Sequence, residues 1–120
     1  MRASTKLSLP LLGLFVAGLG CGKEPEPPCN TVPLPTECPD PATRYGDIAP
    51  IVGKYCASPC HYGGPSNLFS LSDYDQVAAW QSNITREVHF CGMPPRGHRG
   101  DFSEADRLAI LTWILCGALP

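Results

Sequence analysis

The chain has little charge and no concentration of it. Charged residues make up 17% of the 120 positions, and nine Lys and Arg against eleven Asp and Glu leave a net charge of −2. The signs are scattered, with no basic stripe of the kind that tracks a nucleic-acid backbone, so a nucleic-acid partner is not expected. A nucleophile elbow is missing, and no pair of acidic residues stands in a recognisable catalytic setting. Hydrolytic catalysis therefore has no support. A second pair of metal ligands at regular spacing is also lacking, which removes a zinc finger or ribbon. No internal repeat and no second domain can be seen, and a chain this short is one small domain at most.

What is abundant points elsewhere. Fourteen prolines and twelve glycines argue for long loops. Seven cysteines in so short a chain indicate an oxidising compartment, or metal or cofactor chemistry. Residues 1–20 carry Arg2 and Lys6 ahead of an apolar run from Leu7 to Leu19 and contain no acidic residue. This reads as an export signal, too short and too rich in glycine to span a bilayer, which takes about 20 apolar residues. Gly18-Leu19-Gly20-Cys21 resembles the lipobox of bacterial lipoproteins, with Gly18 where that motif usually has Leu; the resemblance implies cleavage before Cys21 and its lipidation.

Residues 21–44 read as a linker. Seven prolines between Lys23 and Pro41 fix backbone torsions and remove donors, giving an extended, polyproline-like spacer that buries no core. About 20 residues at roughly 3.1 Å each would hold a following domain up to ~60 Å from the membrane.

From residue 45 the pattern becomes that of a folded domain. Ile48, Ile51, Val52 and Tyr55 recur at helical spacing behind Asp47 as N-cap candidate, giving a helix expected to stop near Cys56, where Pro59 biases Ser58 away from helical torsions. A second helix is expected through Gln76–Trp80 behind a cap in Ser72–Asp75. Ile84 to Phe90 is consistent with helix or strand. Ser103 and Asp106 form a capping-box pattern ahead of a final helix with Leu108, Leu111 and Leu115 on one face, ended by Gly117.

The chemistry concentrates in Cys56-Ala57-Ser58-Pro59-Cys60-His61. Two thiols followed at once by an imidazole are a c-type haem attachment pattern with one extra residue between the cysteines. Further on, Met93-Pro94-Pro95 places a soft thioether in a loop stiffened by proline. With Phe69-Ser70-Leu71-Ser72-Asp73-Tyr74 and the final stretch Leu111-Thr112-Trp113-Ile114-Leu115-Cys116-Gly117-Ala118, residues 45–120 resemble a small single-haem c-type cytochrome domain of exported bacterial proteins.

That resemblance implies a mainly α fold of three to four short helices and long loops around one haem c. Cys56 and Cys60 would hold the haem covalently, with His61 as proximal and Met93 as distal iron ligand. It implies a single-electron carrier rather than an enzyme, placed in the cell envelope, with a redox protein as partner and a lipid anchor as membrane contact. Setting Cys21 aside for lipid and Cys56 and Cys60 for haem leaves four cysteines, and the expected disulfides are Cys29–Cys38 and Cys91–Cys116. Arg96, His98 and Arg99 lie beside the Met93 loop, where they would steer an acidic partner or simply be solvated. Two rival readings stand: a haem-less module with Cys56 and Cys60 joined as a disulfide, and a copper site built from Cys56, Cys60, a histidine and Met93.

Overall fold

The computed structural model describes residues 29–58, 60–63 and 69–120; the expected signal peptide and Cys21 lie outside them. Four α-helices carry the fold: α1 (Tyr45–Val52), α2 (Tyr74–Ala79), α3 (Gln81–His89) and α4 (Glu104–Leu115). The domain is mainly α, and no strand occurs among the described residues. Among the described residues no helix is long and apolar enough to cross a membrane.

The first helix begins two residues before the expected cap. Arg44 is the N-cap, and Asp47, in the third helical position, accepts a hydrogen bond from the Arg44 backbone N at 2.8 Å. The helix ends near Cys56 as expected, at Ala57, but not as a regular α-helix. It widens into a π-helical turn, Gly53–Ala57, and Ser58 keeps right-handed helical torsions with its N donating to Gly53 O at 3.0 Å. A π turn holds one residue more than an α turn, and such turns cluster at functional sites. The extra residue of the cysteine motif thus enters a helix that has already widened.

Helix α4 follows its sequence closely. Ser103 Oγ accepts from Asp106 N at 3.0 Å while the Asp106 carboxylate accepts from Ser103 N at 3.2 Å. Gly117, at φ 87°, turns the chain out of the helix in a conformation that other residues rarely adopt. The main core joins Ile48 and Val52 of α1 to Val77 of α2 and to Ile110 and Trp113 of α4, each at most 2% exposed. The C-terminus closes over the start of α1: Tyr45 N and Trp113 Nε1 both donate to Leu119 O, at 2.9 and 2.8 Å.

The proline-rich segment departs from expectation. A spacer that buries nothing is expected through residue 44, yet Val32 is 1% exposed and packs with Val88 and Leu111 as a second core. Val32 N donates to His89 O at 3.2 Å, and His89 Nδ1 donates to Val32 O at 2.6 Å. From Cys29 onward the chain is a strap laid across the end of α3. This register decides the disulfides, and the expected pairs Cys29–Cys38 and Cys91–Cys116 are not the ones formed. The bonds are Cys29–Cys91 and Cys38–Cys116. Val32, seated between α3 and α4, sends the two ends of the strap to different places: Cys29 meets the turn after α3, and Cys38 meets the end of α4.

The buried Arg107 of α4, 4% exposed, ties the same region together. Its Nε and Nη2 donate to Val88 O at 3.1 and 2.7 Å, and its Nη1 to Asn30 O at 2.7 Å. Val88 O is one of the last carbonyls of α3, which the helix itself leaves without a donor.

Candidate functional site

A cleft of about 260 Å³ opens between the π turn, one face of α3 and the Met93 loop. Its α3 wall is Trp80, Asn83, Ile84, Glu87 and Val88. Those positions fall at i, i+3, i+4, i+7 and i+8, a single helical face. The opposite walls bring Tyr55 and Cys56 from the π turn, Cys60 and His61 after it, Phe69 and Leu71 beyond, and Met93, Pro94 and Pro95 from the loop after α3. Cys56, Cys60, His61 and Met93, expected from sequence as the site, therefore line one cleft. The α3 face was not anticipated. Its signal was the helical recurrence from Trp80, obscured because Ile84–Phe90 alone does not separate helix from strand.

Each site residue is held by a local device. His61 N donates to Cys56 O at 2.9 Å, a span of five residues that matches the π turn and fixes the imidazole relative to the first cysteine. His61 O accepts from Leu71 N at 2.8 Å. The His61 ring stacks on Phe69 with centroids 4.6 Å apart, and Phe69 stacks on Trp80 at 4.2 Å. Near the mouth, Tyr55 packs on Phe102 at 4.7 Å and its hydroxyl donates to Asp101 at 2.8 Å. Lys54 donates to the other Asp101 oxygen, also at 2.8 Å. These hydrogen bonds raise the Lys54 pKa and lower that of Asp101. They also fasten the segment after the Met93 loop to the π turn.

The six cysteines among the described residues divide into two classes. Four are paired, whereas Cys56 and Cys60 are free thiols. Burial, and then the neighbouring Cys60, push the Cys56 thiol up to about 11, so it stays protonated near neutrality. The rival with Cys56 and Cys60 joined as a disulfide is not what the structure contains.

The donor set can be tested against haem. His61 Nδ1 is buried without a hydrogen-bond partner. A buried imidazole nitrogen without a partner costs free energy, and His61 lines the cleft beside both thiols. Met93, the sole methionine besides Met1, reaches the same cleft with a soft thioether. No three His, Cys, Asp or Glu side chains among the described residues converge closely enough to hold a bare metal ion. Two thiols, one imidazole and one thioether around an apolar cleft are what a tethered porphyrin needs from a protein, and a metal held by side chains alone needs a tighter cluster. The residues fit haem in their chemistry.

No family model, no curated protein and no solved structure matches this chain.

Proposed function

We propose that the protein is a single-haem c-type cytochrome of the bacterial cell envelope, a carrier of single electrons that is exported and lipid-anchored through Cys21. The observation that carries this reading is the sorting of the cysteines: among the described residues four close disulfides, and the two that remain thiols line an apolar cleft with His61 and Met93.

Cys56 and Cys60 would hold the haem through two thioether bonds, each made by adding S–H across a vinyl group, the hydrogen going to the other vinyl carbon with no gain or loss of electrons. Bound haem supplies a one-electron iron couple, and thioether ligation raises its potential. The chain's part is to fix the ligands. The π turn sets Cys56 and His61 in one frame, the tied loop brings Met93 to the cleft, and the α3 face would help keep water from a bound apolar ring. The protein passes electrons to a redox protein partner and makes or breaks no bond in a substrate.

Expression in a periplasm with c-type haem attachment machinery tests this reading. The expected product has a c-type reduced spectrum, Cys56→Ala and Cys60→Ala each retain haem through one thioether, and the double variant retains none. A wild-type protein that stays colourless, with Cys56 and Cys60 open to thiol reagents or joined to each other, would point to a haem-less binding module and sink the cytochrome reading.

A further inference from the structure

Met93 is 44% exposed, so packing against the core does not decide where its sulfur sits. Its position has to come from the backbone around it. That backbone is poorly equipped to hold itself, because Pro94 and Pro95 have no N–H to donate. Two donors remain on the N-terminal side. Gly92 N and Met93 N both point to Glu87 O, at 2.8 and 3.3 Å, and hang the loop from α3. A side chain at Gly92 would meet the Glu87 carboxylate, the mobile end of that side chain, while the Glu87 backbone stays at ordinary contact distance. Just before Gly92, Cys91 turns the chain at φ 61°.

The carbonyls of the loop are bound by one side chain. Arg99 Nη2 donates to Cys91 O at 3.0 Å, and Arg99 Nε donates to Pro94 O at 3.1 Å. The two acceptors bracket Met93, two residues before it and one after. A guanidinium presents Nε and Nη2 along one rigid edge, so it can take two such carbonyls at once and fix their separation. A lysine ammonium, a point donor on a flexible stem, does not impose that spacing.

We propose that Arg99 is the positioning residue of the distal ligand: its guanidinium spans the carbonyls of Cys91 and Pro94 and so holds the Met93 sulfur in the cleft. This rests on the reading of Met93 as an iron ligand. Arg99 then has a purpose different from the solvated or partner-steering role that its place in a polar loop suggests. Its neighbour Arg96 is exposed and carries no such bracket.

The test compares haem-loaded wild type with Arg99→Gln, Arg99→Lys and, as control, Arg96→Gln. The readouts are the charge-transfer band of thioether-ligated ferric haem, the affinity for added imidazole as a competitor of Met93, and the midpoint potential. Haem content by mass and helix content by circular dichroism serve as folding checks. In Arg99→Gln the band is expected to fall by at least half, imidazole to bind at least tenfold more tightly, and the potential to drop. Arg99→Lys is expected to fall between that variant and wild type, and Arg96→Gln to match wild type. Should Arg99→Gln fail to load haem, Arg99→Lys decides by the same readouts. A full band with unchanged imidazole affinity in both Arg99 variants overturns the proposal. A wild type that loads haem but lacks the band overturns the Met93 assignment, and this inference with it.

Discussion

The Cys56 thiol carries a pH dependence that distinguishes the haem-free chain from the loaded one. Its pKa rises from 9.0 to about 11 on folding, through burial first and the nearby Cys60 second. Between those values the unfolded chain has lost a proton that the folded chain keeps, so stability is intact below pH 9 and falls as pH climbs toward 11. The full loss is about 3 kcal/mol, at roughly 1.4 kcal/mol per pH unit. Urea unfolding of haem-free wild type at pH 8 and pH 11 is expected to show a larger drop than Cys56→Ala by that amount. An equal drop in both would mean that Cys56 is not buried as described. In the loaded protein a thioether has no proton to lose, so the difference disappears. The four residues singled out from the sequence, Cys56, Cys60, His61 and Met93, line one cleft. The sequence placed Arg99 only as a steering or solvated residue and did not single out Arg107, because an arginine aimed at backbone carbonyls leaves no pattern among neighbouring side chains.

Among the elements, α4 was legible and α3 was not, for a physical reason. Helix α4 announces itself by local signals, a reciprocal cap at Ser103 and Asp106 and a glycine past its end. Removing the cap with Ser103→Ala is expected to cost about 1 kcal/mol in denaturant unfolding. Helix α3 takes its shape from contacts with other parts of the chain. Val88 packs on Leu111 and Val32, and Arg107 supplies the donors that its last turn lacks. Arg107→Ala leaves those carbonyls and Asn30 O short of a donor in a buried place, and a loss of about 3 kcal/mol is expected. A loss below 1 kcal/mol would show that water takes over the bonds. The π turn was read from sequence as a helix end plus loop because Pro59 discourages helix in the residue before it. In the structure Ser58 remains helical, with its N–H bonded to Gly53 O, and the widened turn continues through Ala57.

For the whole molecule, the two disulfides interlace, each spanning most of the domain with separations of 62 and 78 residues. Loops that long remove much entropy from the unfolded chain, about 4 kcal/mol per bond in the chain-entropy account. The Cys38→Ser/Cys116→Ser double variant is expected to lose several kcal/mol, and non-reducing peptide mapping to link Cys29 with Cys91 and Cys38 with Cys116. Recovery of a Cys29–Cys38 peptide would contradict the strap. Sequence could not give this pairing, since partner choice follows from how Val32 seats the strap between α3 and α4. The strap also shortens the free tether. With the chain fixed to the domain from Cys29, a lipid on Cys21 would leave about eight residues of spacer, roughly 25 Å, less than half the reach expected from composition.

The central claim is that Cys56 and Cys60 are kept as thiols to receive a haem, and intact mass measured under denaturing conditions tests it most directly. Protein made with the attachment machinery is denatured, its disulfides are reduced, and every free thiol is alkylated. The account predicts a chain heavier by one haem that resists extraction, with Cys56 and Cys60 unalkylated and the four disulfide cysteines labelled. A chain of apoprotein mass in which Cys56 and Cys60 take up alkylating reagent contradicts it.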